Sequence, residues 1–221
     1  MPVSITHGPP VPGPARKTAG GFMPLRIALC LLLFLSPCLA LAQADAPLDP
    51  GEKKKLDTFF SNFAEVNMKN FTTGGISDED LLYFATWHCI INAGDAFQKT
   101  NGGNDIIIPA EAIDKVTEKY LGLKIKKHLK PRYVESLGSG EAYVFAQVDG
   151  LQRRDDGTYL ARGTVYATAS GAVIDPHATA ADWEKAGETV NPQMTFTGVV
   201  RKADGDAGRF ILLEYAVKEL E

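Results

Sequence analysis

Leu56, Phe59, Phe60, Phe63 and Val66 recur at the i, i+3, i+4, i+7 spacing of one helical face, while Lys53, Lys54, Lys55 and Glu65 occupy the wetter side. Asp49 and Pro50 stand just ahead of this stripe, an N-cap acceptor followed by the residue best suited to the first helical position. The pattern predicts a core-facing helix that begins there. "TTGGISDED" then breaks the chain, and Ser77 or Asp78 can cap a second helix whose acidic first turn suits the helix dipole. That helix is expected to run to about Phe97, where "NGGND" ends it. Ile106 to Ile108 read as a short strand, Pro109 opens a third helix with Ile113, Val116, Tyr120 and Leu121 inward, and Gly122 is its natural stop.

After Lys130 and Pro131 the period changes. Runs rich in Val, Tyr, Phe and Thr, at 142–148, 159–169, 194–202 and 210–217, read as strands, with "RDDG" and "ADGDAG" as hairpin turns. Between the middle strands lies a long excursion, "SGAVIDPHATAADWEKAGETVNPQ", with a helical turn expected around 181–185. Helices first and an antiparallel meander afterwards specify an α+β domain in which about three helices cover one face of a curved sheet of about four strands. This element order is similar to that of nuclear-transport-factor-like and cystatin-like domains, which carry many unrelated functions.

The N-terminus reads as a leader. A positive flank at Arg26 precedes an apolar run over 27–35 and a small-residue exit at Ala40, Leu41 and Ala42. Cleavage after Ala42 is the expectation, with 43–50 as a tether and 51–221 as one domain in the periplasm or outside the cell. Leu35, Ser36, Pro37 and Cys38 offer an alternative, a lipidated exit that would hold the protein at a membrane surface. The apolar run is too short to span a bilayer, and no later segment approaches the required length, so no transmembrane segment is expected after cleavage.

The whole chain carries 23 basic and 27 acidic side chains. The leader takes Arg16, Lys17 and Arg26 with it and no acid, which leaves a net charge of −7. Nucleic acid is therefore a poor partner. Cys30 and Cys38 also leave, stranding Cys89 without a disulfide partner in an oxidising compartment.

"LLYFATWHCIINAGD" places His88 beside Cys89, but at about 100° per residue the two point in different directions. Cys89 shares a face with Leu82, Ala85, Ala93 and Ala96 and reads as a small core residue. His88 shares its side with Asn92 and Asp95, giving a polar seam. Either that seam is satisfied inside the fold, or Trp87, His88 and Asn92 line a ligand pocket between helix and sheet. An enzyme built there would use His88 as general base, with Asp95 or a strand carboxylate orienting it.

"KIKKHLKPR" gathers Lys124, Lys126, Lys127, Lys130 and Arg132 in nine positions of an acidic protein. It is either a solvated loop or helix end, or a docking patch for an anionic envelope polymer, lipid headgroup or acidic protein. "DGDAG" at 204–208 lacks the further oxygen ligands of a calcium loop and reads as a turn. No catalytic, cofactor or metal motif is recognisable, and none is assigned.

"LDTFFSNFAEVNMKNFT", "DEDLLYFATWHCIINAG" and "VTEKYLGLKIKKH", spanning about 56–128, resemble a group of uncharacterised exported bacterial proteins. The resemblance implies a secreted or envelope-associated domain and transfers no catalytic residue. The expectation is an exported, soluble, non-enzymatic binding or interaction domain whose partner is an anionic envelope component or a small molecule. The alternative is a small hydrolase or isomerase using His88.

Overall fold

The computed structural model describes residues 48–138 and 143–220. The leader and most of the tether lie outside the described residues, as does the first residue expected of the strand at 142–148. Among the described residues the fold is α+β, with four helices and two antiparallel sheets.

Helix α1, Pro50–Ala64, starts where Asp49 accepts the N–H groups of Gly51 and Glu52 at 3.0 and 3.1 Å. Its apolar stripe is buried as the spacing predicts, with Leu56, Phe60 and Phe63 fully enclosed. Helix α2, Asp78–Ala93, is capped by Ser77, which accepts the Asp80 N–H at 3.1 Å. It ends four residues short of the expected Phe97, in a 3-10 turn at Gly94–Ala96. Helix α3, Ala110–Leu121, stops at Gly122 in the left-handed region, where φ is 66° and glycine carries no steric cost.

The larger sheet has the order β4-β5-β6-β7, from Val144–Arg153, Tyr159–Thr168, Val190–Ala203 and Asp206–Glu219. Register shifts after Val148, Val165, Val199 and Lys202 mark bulges, which bend strands and increase their twist. α1 lies against this sheet, and Gly198 of β6 makes the close approach possible. A Cβ added there would stand 2.5 Å from the Phe60 ring.

Both outer strands of this sheet are covered over part of their length. On β4, the Asp57 carboxylate accepts the Val148 N–H at 2.7 Å, and the Ser61 hydroxyl accepts the Ala146 N–H at 2.9 Å. Positions 57 and 61 are one turn apart, so a single helix face supplies both acceptors. On β7, Phe71 and Tyr215 exchange two backbone hydrogen bonds at 2.9 Å, and the Asn70 side chain accepts the Val217 N–H at 2.8 Å.

The smaller sheet, β1-β2-β3 from Gln98–Thr100, Asp105–Pro109 and Arg132–Ser136, was only partly foreseeable. β2 contains the expected Ile106–Ile108 run and buries Ile106 and Ile108. β1 is three residues with no buried side chain, and β3 buries only Tyr133, so neither shows an alternating apolar pattern.

The excursion between β5 and β6 is tied down along its length. It contains α4, Ala180–Lys185, with a reciprocal capping box between Thr179 and Asp182. The Trp183 ring is buried against Phe145 and Tyr166, and its indole N–H donates to the Asp175 carbonyl at 2.9 Å. Gln147 of β4 donates to the carbonyls of Pro176 and Ala178 at 2.7 and 3.1 Å.

Candidate functional site

The best-formed apolar concavity lies between α2 and the start of β4, with a volume of about 430 Å3. Trp87, Ile90 and Ile91 come from α2, because positions i, i+3 and i+4 share one side of a helix and that side faces the gap. Leu137 and Gly138 follow β3, Tyr143 and Val144 open β4, and Gly171 and Val173 come from the excursion. A Cβ at Gly138 would make ordinary van der Waals contact with the Trp87 ring, at 4.0 Å. Ile91 and Val173 are 46% and 79% exposed, so the rim as well as the wall is apolar.

One carboxylate enters this lining. Glu65, the C-cap residue of α1, is raised above the usual carboxylate range by burial, an effect opposed by a hydrogen bond from the Asn92 amide at 3.4 Å. The Tyr143 hydroxyl is raised by its own burial and then by the charges of Glu65 and Asp175. The cleft thus offers an apolar wall with one carboxyl and one phenol.

The three residues expected to line a pocket are separated by the fold. Trp87 faces the cleft. Asn92 stands behind it, its amide nitrogen 3.4 Å from Glu65 Oε2 and 3.2 Å from His88 Nδ1. His88 is 8% exposed and does not line the cleft. Its ring sits between Phe84 and Tyr120, at centroid distances of 5.9 and 4.8 Å. Burial, and secondarily the charge of Lys119, pushes its pKa down to about 4, so it is neutral at physiological pH. Asp95 does not orient it, because that carboxylate is 98% exposed on the turn after α2 and pairs with Lys99 at 2.9 Å. Cys89 is buried and its thiol is pushed up to about 11 by desolvation.

Two other histidines meet carboxylates. His177 of the excursion has Nδ1 3.4 Å from Asp57 and Nε2 3.5 Å from the Thr58 hydroxyl. The order hydroxyl, imidazole, carboxylate has the layout of a proton relay. However, the Thr58 hydroxyl donates to the Lys54 carbonyl at 2.9 Å, so its proton is committed to the helix backbone. Asp57 also binds Lys53 at 2.8 Å and Val148 N–H, and its geometry is that of a strap between helix, strand and excursion.

His128 belongs to the basic run. Its ring bridges the Tyr133 hydroxyl at 2.9 Å and Asp114 at 3.0 Å, and Asp114 also accepts the Ile125 N–H at 3.2 Å. The Lys126 N–H donates to Asp78 at 3.3 Å. The run is therefore an exposed loop after α3 that is pinned into an arch. Lys124 pairs with Glu118 at 3.4 Å, whereas Lys126, Lys127, Lys130 and Arg132 project from exposed positions around Leu129, which is 83% exposed. Arg132 is the first residue of β3 rather than part of a loop.

Among the described residues no group of three His, Cys, Asp or Glu side chains could hold a metal ion, and no helix is long and apolar enough to cross a membrane. Asp206 of the "DGDAG" segment accepts the Gly208 N–H at 3.1 Å, as a turn residue does. Comparisons with protein-family models, curated proteins and solved structures find no match for this chain.

Proposed function

We propose that the protein is an exported, non-enzymatic binding domain that holds a small, largely apolar molecule between α2 and β4, as part of the group of exported bacterial proteins that its helices resemble. The observation that carries this reading is the cleft itself, whose apolar wall converges on a single partly buried carboxyl at Glu65. A ligand with an apolar body and one hydrogen-bonding group matches that lining. The enzyme alternative is weaker because His88, its required base, is 8% exposed and does not line the cleft.

Trp87 and Trp183 are the two tryptophans of the chain, so Trp183→Phe leaves an indole in the cleft as sole reporter. Titration with the neutral probe N-phenyl-1-naphthylamine should quench that indole with one-to-one saturation. Val144→Phe, which fills the cleft, should remove the effect. Absence of quenching, or equal quenching in the filled variant, contradicts the reading.

A second reading is favoured by Leu129, an exposed apolar tip among cations on a pinned arch. It makes residues 124–132 a docking patch for an anionic component of the envelope. Export itself rests on the leader, and intact-mass analysis of protein from the native host is expected to give a chain beginning at Gln43.

A further inference from the structure

A second cationic cluster arises only in three dimensions. α1 turns the side holding Lys54, Lys55, Thr58, Phe59 and Asn62 towards the end of α3 and the start of β7, away from the face that covers β4. Between them lies a cleft of about 570 Å3. Its charged lining consists of Lys54 and Lys55 from α1, Lys119 from α3, Arg209 from β7, and one carboxylate, Asp206. Among the described residues, Lys54, Lys55 and Lys119 have no carboxylate within ion-pair distance. Asp206 is partly used by the Gly208 N–H and by Arg209 at 3.9 Å.

The backbone reinforces this balance. The C-terminal end of α3 would normally present carbonyl oxygens and partial negative charge to the cleft. Arg209 Nη1 donates to the Lys119 carbonyl at 3.0 Å, which occupies one of those oxygens and leaves further donors on the guanidinium fork. Lys55 reaches over the hairpin, its Nζ 3.5 Å from the place where a Cβ of residue 208 would be. Phe59, Tyr120 and Phe210 form an apolar floor, and Lys119 Nζ lies 4.7 Å from the Tyr120 ring centroid.

We propose that the cleft between α1, α3 and β7 binds a phosphate-bearing small molecule, held by Lys54, Lys55, Lys119 and Arg209 against the aromatic floor. Four cations facing one carboxylate create a local excess that favours a multiply charged ligand. The planar Arg209 fork and the lysine point charges together suit clustered phosphate oxygens. The volume exceeds that of an inorganic ion and fits a small organic molecule. This site shares no residue with the apolar cleft or with the 124–132 arch, and it stands or falls independently of both.

The test is calorimetric titration of the full chain with pyrophosphate at constant ionic strength, with citrate as a polyanion of similar charge that lacks phosphorus. Lys54→Gln/Lys55→Gln/Lys119→Gln should weaken pyrophosphate binding by at least about tenfold, the scale of one lost charged hydrogen bond. Lys126→Gln/Lys127→Gln/Lys130→Gln removes the same charge elsewhere and should change the affinity less than about twofold, because screening acts over roughly 8 Å. All six lysines are on exposed positions, and circular dichroism melts are run to check that both variants fold. The proposal is overturned by no saturable pyrophosphate binding to wild type, by equal loss in both variants, or by citrate binding as tightly as pyrophosphate.

Discussion

The Asp57 carboxylate, 1% exposed on α1, accepts the backbone N–H of Val148 on β4 at 2.7 Å. The helix has replaced a neighbouring strand as the partner of that amide. Asp57→Ala strands a buried donor, at a cost of about 1–3 kcal/mol. Asp57→Asn keeps an acceptor oxygen and should lose less than half of that. Lys53 adds little, since its ammonium reaches solvent. Urea denaturation of the two variants gives the ranking, and equal loss in both would point instead to the ion pairs.

His88 should govern the acid limb of stability. Its folded pKa of about 4 lies below the ordinary 6.5, so between those values the unfolded chain binds the extra proton. Stability is therefore lost as pH falls through this window, by up to about 3 kcal/mol. Glu65 acts with the opposite sign: its raised pKa makes the folded state gain protons as pH falls towards the carboxylate range. Melting curves from pH 7 to pH 4 should flatten in His88→Gln and steepen in Glu65→Gln.

Cys89 should be inert. With its thiol pushed up to about 11, almost no thiolate exists at pH 7.5. In a chain without Cys30 and Cys38, a thiol dye should label the native protein slowly and the urea-unfolded protein fully. Fast native labelling would place the thiol outside the core.

Gly198→Ala should cost about 1–3 kcal/mol, because the new methyl must displace the enclosed Phe60 ring. Pairing it with Phe60→Leu should recover part of the loss, and the double-mutant cycle measures how much. Strict additivity would mean that the two side chains do not meet.

If residues 124–132 dock the protein, Lys124, Lys126, Lys127 and Lys130 changed together to Gln should release it from isolated envelopes and remove the salt dependence of binding. The melting temperature should barely move, since the Asp114, His128 and Tyr133 contacts that hold the arch are untouched. Partitioning that is equal for both proteins and independent of salt would eliminate the patch as a dock.

Elements with a strong period were legible before any coordinates. Leu56, Phe60 and Phe63 declared the buried face of α1, and Asp49, Ser77 and Gly122 marked helix ends, because caps act within a few residues of themselves. β1 and β3 were missed since three and five residues with one buried side chain between them leave no alternation to read. The site was harder. Glu65 appeared as part of the wet side of α1, and only the approach of α2 and Tyr143 makes it a cleft carboxyl. Lys54, Lys119 and Arg209 are far apart in sequence, whereas 124–132 drew attention by being contiguous. The polar pair Asp57 and Ser61, one turn apart beside the apolar stripe, was the available signal for the covered strand.

The covering of β4 by Asp57 and Ser61, and of β7 by Asn70 and Phe71, bears on how the protein behaves in company. An open strand flank is a template on which a second molecule can lay its own backbone, the first step towards fibres. Here the middle of one flank and the second half of the other already have their amides engaged within the molecule. On the β4 flank, recruitment of a foreign strand must first pull α1 away, and α1 carries the centre of the core. Self-assembly through β4 is thereby tied to opening of the core, whereas on β7 it need only displace the segment at Asn70 and Phe71.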